Sequence, residues 1–169
     1  MEEYRDIKDY EKYQVSNTGN VRNKITRRVL IPGVNNSTGY YAVYLYKERK
    51  GITKQVHRLV CQAFLENPEN KTCVDHCDGN KLNNNLKNLR WATKKENCQN
   101  QKLSKKNTSG IKGVYFNKPL NKWMAYICID GNLINLGYYN NIEDAQAVRV
   151  AAANKSFGVF THTCELLKA

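Results

Sequence analysis

The chain has 169 residues, 41% of them hydrophobic, with 27 Lys and Arg against 15 Asp and Glu, a net charge of +12 and a pI near 9.4. That apolar share excludes a disordered chain, and the lack of a long apolar run or a basic amphipathic helix argues against a membrane partner. The excess of cations then points to a polyanion, with nucleic acid first in line.

The N-terminus, MEEYRDIKDYEK, is charged and carries no apolar stretch, so no secretion signal is expected and the protein reads as intracellular. Six cysteines, at 61, 73, 77, 98, 128 and 164, accordingly read as reduced thiols. Cys73 and Cys77 bracket Asp75 and His76, but a Cys-x3-Cys spacing without a second close pair falls short of the four ligands of a structural zinc site, which is not expected.

In chain order, YQVSNTGNVRN places two short β-prone runs around Asn17–Asn20, a hairpin signal. YYAVYLYKERKGITKQV repeats the pattern around a charged, Gly-containing turn, and together they predict a small antiparallel sheet with Lys and Arg at its tips. From His57 the period changes: Leu59, Val60, Ala63 and Phe64 fall on one helical stripe that Pro68 should stop. His57, at the helix start, reads as a structural hydrogen-bonding residue.

The densest segment is VDHCDGNKLNNNLKNLRWATKKEN, 74–97, with six Asn from Asn80 to Asn97. Residues 71–76 read as a short strand, Asp78-Gly79 as a turn and 88–91 as a second strand. Thr93 to Glu96 has the T-x-x-E form of a capping box, which starts a helix carrying Asn97 one turn in. Strand, loop, strand and helix thus surround an acid next to an imidazole.

Cleaving a phosphodiester calls for a hard cation to absorb charge on the phosphoryl oxygens and a base to deprotonate water. Mg²⁺ takes few protein oxygens and keeps its own water, so Asp75 and Asn97 are plausible ligands and His76 a natural base. Neighbours on a regular strand point to opposite faces, so Asp75 and His76 share one site only if the strand end is irregular.

VHRLV, VDH-x-DGNK, NN-x-x-x-NL-x-W-x-T and the terminal EN make the segment from His57 to about Gln101 resemble the HNH (ββα-metal) homing endonucleases. The resemblance implies that Asp75 and Asn97 are metal ligands, that His76 is the general base, and that Asn88 holds the His76 segment in place. Asn97 fills a slot that is His in the standard HNH name, a common variant, and Cys77 receives no role. Residues 2–30, with Tyr-x-VSN-x-G-x-V and Tyr4 where Trp is usual, resemble the NUMOD-type module, which implies a DNA-contacting sheet.

Residues 101–109, QKLSKKNTS, hold three Lys and no acid and read as a basic linker. Beyond it, β-prone runs at 111–116, 122–129 and 132–139 precede an Ala-rich helix with Ile142, Ala145, Val148 and Ala152 on one face and Gly158 past its end. KGV, KW-x-A-x-I, LG-x-Y/F and EDA-x-AV resemble the APETALA-type (ethylene-response-factor) DNA-binding domain. That resemblance implies that Lys112, Tyr115, Asn117, Tyr126, Cys128 and Asn135 face DNA, although several Arg usual in the family are absent.

The expected architecture is α+β: a small antiparallel sheet, a central ββα-metal nuclease unit, and a C-terminal three-stranded sheet packed on one helix. The expected partition is 1–56, 57–100, the linker 101–109, and 110–169. The expected protein is a site-specific double-stranded DNA endonuclease using Mg²⁺, with Mn²⁺ able to substitute, and acting as a monomer. The rival is a non-catalytic DNA-binding regulator derived from such a nuclease, whose mark would be loss of Asp75, His76 or Asn97; all three are present.

Overall fold

The computed structural model describes residues 1–100, 103–104 and 106–161. Gln101, Lys102 and Lys105 of the basic linker and Cys164 lie outside the described residues. The architecture is α+β, as expected, and divides into two compact units, Met1–Lys94 and the remainder from Lys95.

The first unit opens with β1 (Tyr4–Ile7), β2 (Tyr10–Ser16) and β3 (Val21–Asn23), an antiparallel sheet in the order β1-β2-β3. Tyr10, Tyr13 and Val15 of β2 turn into the core. A second sheet follows, from β4 (Gly33–Val34), β5 (Tyr41–Lys47) and β6 (Lys50–Gln55). Its tight turn, Glu48–Arg49, has φ of 50° and 65°, the left-handed twist that two-residue hairpin turns adopt. Where one small sheet is expected there are therefore two, because the first and fourth strands add a third member to each hairpin.

Helix α1 (Val56–Phe64) buries Val56, Leu59, Val60 and Cys61 against both sheets. It ends at Phe64, before Pro68: Leu65 is already extended at φ −115°, and its carbonyl accepts a hydrogen bond from Trp91 Nε1 at 3.3 Å. The Asn67 side chain then closes a loop onto Lys71, accepting from its amide (2.8 Å) and donating to its carbonyl (2.9 Å). This side-chain loop, rather than the proline, redirects the chain into β7 (Cys73–His76), which pairs antiparallel with β8 (Leu89–Ala92). One core runs through the unit, from Ile7 in the first strand to Leu89 in the eighth.

Helix α2 (Lys94–Gln99) follows Thr93 and carries Asn97 into the second unit. There β9 (Val114–Asn117), β10 (Lys122–Ile129) and β11 (Asn132–Tyr139) form an antiparallel sheet with β10 central, packed on α3 (Ile142–Phe157). The first strand starts three residues later than the β-prone run. Ser109 Oγ and Asn107 Nδ2 both donate to the Ile111 carbonyl, and Gly113 sits at φ +72°. Asn141 caps α3 by accepting from the Asp144 amide at 3.0 Å, and Gly158 ends it at φ +52°.

The buried stripe of α3 is Ala145, Arg149, Ala153 and Phe157, with Val148 and Ala152 only half-buried. The expected face is thus rotated. The cause is Arg149, 4% exposed, whose stem occupies the space left by Gly113: a Cβ there would meet Arg149 Nε at 2.3 Å. Among the described residues no helix is long and apolar enough to cross a membrane.

Candidate functional site

The end of β7 gathers the chemistry. Asp75 and His76 are 3% and 5% exposed, buried more deeply than is usual for polar side chains. The pairing with β8 is regular, Asp75 opposite Arg90 and His76 opposite Leu89. Register thus puts the two side chains on opposite faces through His76, Asp75 with Arg90 and His76 with Val74 and Leu89. The departure from regular strand that a shared site requires comes only at the strand end, where the chain turns out of the sheet with the Gly79 amide donating to the His76 carbonyl at 2.7 Å. Both side chains still border the same strand end, because β7 stops at His76.

Each is held from its own side. Arg90 donates from Nε (2.7 Å) and Nη2 (2.6 Å) to Asp75 Oδ2, a two-point, charge-assisted grip on the acid. The His76 ring stacks on Tyr40 at 5.7 Å between centroids with planes 21° apart, and meets His57 edge-on at 5.2 Å. Its Nε2 lies 3.3 Å from Asn84 Oδ1. Burial lowers the proton affinity of His76 against an opposing pull from Asn84 and the neighbouring acids, so the ring is neutral at neutral pH.

His57 differs from its expected role. It is buried, its Nδ1 has no hydrogen-bond partner among the described residues, and its ring packs 4.4 Å from Tyr40. Burial first, then His76 and Arg58, push its pKa down to about 3. It serves as a neutral packing ring behind His76.

The run of amides resolves into a cage around Asp78. Asp78 Oδ1 accepts from the Asn80 amide (2.7 Å) and Asn88 Nδ2 (2.9 Å), and Oδ2 accepts from Asn83 Nδ2 (2.8 Å). Against the opposing effect of burial, these bonds hold its carboxyl below the usual range. Asn88 Oδ1 accepts from the Asp78 amide at 3.0 Å, and the Asn88 carbonyl accepts from the Cys77 amide at 2.9 Å. Asn88 thus ties both ends of the 77–88 loop directly behind His76. Arg90, Asp78, Asn83, Asn84 and Tyr40 are absent from the sequence-based set. The Asp75–Arg90 pair was accessible from strand register, whereas Tyr40 has no local signal.

Asn97 stands on α2, the fourth residue of that helix, in the second unit. Among the described residues, no three His, Cys, Asp or Glu side chains group in a way that could hold a metal. Cys73 and Cys77 are both half-buried, and burial raises the Cys77 thiol above its ordinary range.

In the second unit, register brings Tyr115, Asn117, Tyr126, Cys128 and Asn135 to one face of the sheet, opposite α3. Two of the amides also serve local turns: Asn117 Oδ1 accepts from the Leu120 amide (3.1 Å) and Asn135 Oδ1 from the Gly137 amide (2.8 Å). Tyr115 donates to Met124 Sδ at 2.8 Å and meets Tyr126 edge-on. Lys112 stands apart, before β9, with Nζ donating to the Gln99 carbonyl at 2.9 Å. It lines a cleft of ≈ 340 Å³ with Lys95, Cys98, Tyr126 and Cys128.

Residues 54–99 match the HNH endonuclease family, and residues 2–46 match the NUMOD4 motif. The DNA endonuclease I-HmuI of Bacillus phage SP01 is 50% identical over 103 residues, covering 59% of this chain and 57% of that protein. The H-N-H endonuclease F-TflII of Escherichia phage T5 is 32% identical over 133 residues, covering 77% of this chain and 68% of its own length. A solved structure of DNA binding and cleavage by the HNH homing endonuclease I-HmuI superposes with a TM-score of 0.55 at 35% identity, over 92% of this chain and 83% of that one. The chain spans little more than half the length of several curated relatives, or less. Asp75, His76 and Asn88 all lie inside the HNH match, and the β-β-α order of the segment agrees with it. The chain belongs to the HNH endonuclease family.

Proposed function

We propose that this protein hydrolyses phosphodiester bonds in double-stranded DNA at chosen sites, in a divalent-metal-dependent reaction centred on Asp75 and His76. The observation that carries the reading is the pair itself: an ionisable acid and a neutral imidazole, adjacent and buried at one strand end, each fixed by its own partners. Bland explanations fit poorly, since a buried carboxylate and a buried imidazole both cost folding free energy that apolar residues would not.

The donor set suits a hard cation. Asp75 supplies carboxylate oxygens beside Arg90, and the family resemblance adds the Asn97 amide; two oxygen ligands match an ion that retains most of its water. When bound there, Mg²⁺ would neutralise charge on the phosphoryl oxygens, and Mn²⁺ could replace it. His76, neutral at working pH, takes the proton of the attacking water. Asn88 and Asp78 keep the loop after His76 closed, so the ring meets its substrate without reorganising.

Residues 110–169 are proposed as a DNA-binding domain of APETALA type. Support comes from the sheet face bearing Tyr115, Asn117, Tyr126, Cys128 and Asn135, polar and aromatic groups suited to base edges and sugars. Residues 1–56 would add a second β-rich DNA contact and 57–100 the nuclease, joined by the basic stretch 101–109, with one copy acting on DNA. Supercoiled plasmid incubated with Mg²⁺, against the same reaction in EDTA, tests the activity. Nicked or linear product only with Mg²⁺ is expected; binding without cutting in both would establish the non-catalytic regulator instead.

A further inference from the structure

We propose that Asn84 is a positioning residue that fixes the tautomer of His76, and that the turn of the first hairpin holds Asn84 in place. The inference rests on the reading of His76 as the base and adds two residues that the family resemblance does not assign.

Asn84 is 6% exposed, with Oδ1 3.3 Å from His76 Nε2. Its other amide atom decides its orientation: Nδ2 donates to the Leu82 carbonyl at 3.4 Å. Turned over, the amide would set two acceptor oxygens against each other. Asn84 therefore accepts, and His76 Nε2 carries the proton. A neutral imidazole has one N–H, so the lone pair that can take a proton from water is on Nδ1. With Tyr40 stacked on the ring and His57 at its edge, the plane is fixed as well as the proton.

What holds Asn84 comes from the other end of the unit. In the Asn17–Asn20 turn between β2 and β3, Gly19 has φ +92°, and a Cβ there would lie 2.8 Å from Asn84 Cβ and 3.2 Å from the Asn84 carbonyl oxygen. Only a residue without a side chain permits this approach. One bond adds register: the Leu86 amide donates to the Asn17 carbonyl at 2.8 Å. The turn itself is stiff, because buried Ser16 Oγ accepts from the amides of Thr18 (3.3 Å) and Asn20 (2.9 Å). Gly19 lies in the NUMOD4 match and Asn84 in the HNH match, so the N-terminal motif is a structural support of the catalytic loop as well as a DNA-contacting candidate.

The test uses the full chain with Asn84→Leu, Asn84→Asp and Gly19→Ala, and two readouts. Long-range ¹H–¹⁵N correlations of the imidazoles in metal-free protein report the tautomer; with three His in the chain, His76→Gln assigns the signal. Plasmid cleavage in Mg²⁺ gives kcat and KM. We expect Nε2–H in the parent and in Asn84→Asp, whose carboxylate also accepts. Asn84→Leu should lose that preference and roughly 10²-fold in kcat at unchanged KM, the scale on which misplacing the orienting partner of a catalytic or metal-bound His acts. Asn84→Asp should recover most of the rate, and Gly19→Ala should shift tautomer and kcat in the same direction as Asn84→Leu. An Nε2–H signal that persists in Asn84→Leu overturns the role of Asn84, as does an Asn84→Asp variant no faster than Asn84→Leu. If Asn84→Leu does not fold, a folded Gly19→Ala with parental tautomer and kcat overturns the support by the hairpin. Undiminished cleavage by His76→Gln, with the tautomer still set by Asn84, would instead remove His76 as the base.

Discussion

Arg90 grips Asp75 across the β7–β8 pair through Nε and Nη2, both on Oδ2, while Asp75 itself is only 3% exposed. A carboxylate this deeply buried is tolerable only with such a partner, so the pair is a requirement of the fold as much as a feature of the site. Arg90→Met should cost about 2–4 kcal/mol, because it strands a charge, whereas the double change Arg90→Met with Asp75→Leu should restore most of that. Urea unfolding of the single and double variants measures the coupling. A single variant as stable as the parent would mean the ion pair is dispensable.

On catalysis, His76→Ala is expected to keep DNA affinity and lose at least ~10²-fold in rate, as removal of a general base should. Asp75→Ala should lose a similar factor, with partial recovery at high Mn²⁺. Single-turnover cleavage next to a filter-binding titration separates the two quantities.

Acid should unfold the protein partly through His57. Its pKa is about 3 in the folded state against 6.5 when exposed, so the neutral form is the one that folding favours. The sign follows: this contribution is complete above pH 6.5 and is lost as pH falls towards 3, at up to about 1.4 kcal/mol per unit. In His57→Leu the fall in urea midpoint between pH 6.5 and 4 should be visibly shallower. An identical slope in both proteins would locate the acid sensitivity elsewhere.

Binding to DNA should weaken steeply with salt, since cations exceed acids in every segment of the chain. The log–log slope is expected to be roughly −0.9 per phosphate neutralised. A flat response on a short duplex, followed by fluorescence anisotropy, would show that the basic surface is not the DNA surface.

Asn135→Asp isolates the C-terminal sheet. The carboxylate still accepts from the Gly137 amide, so the strand is preserved, but a negative charge enters the face shared with Tyr115 and Tyr126. Affinity should drop by about tenfold, a cost near 1.4 kcal/mol, with single-turnover cleavage at saturating protein unchanged. Footprints of equal length and affinity would favour a protein-contact or purely stabilising role for this unit.

Local pattern was enough for much of this molecule. The hairpins at Asn17–Asn20 and Glu48–Arg49, the amphipathic start of α1, the strand ending in Asp75-His76 and the sheet-on-helix C-terminal unit all follow from periodicity and turn chemistry, which are short-range. Asp75 and His76 stand out in the sequence as an acid beside an imidazole, whereas Asn88 was singled out only through the family resemblance. What local pattern missed was decided mainly by tertiary contacts. The Leu65 carbonyl after α1 takes the Trp91 indole N–H from 26 positions along the chain, with the Asn67–Lys71 loop a local addition. The buried face of α3 turns towards Arg149 because Gly113 leaves room for it. The environment of His76 belongs to the same class. Tyr40, Gly19 and Asn84 are separated from it by between 8 and 57 positions, and no periodicity links them. Only closure of the shared core brings them together, since burial and close backbone approach depend on which surfaces meet in space, and that is settled by packing of the whole unit.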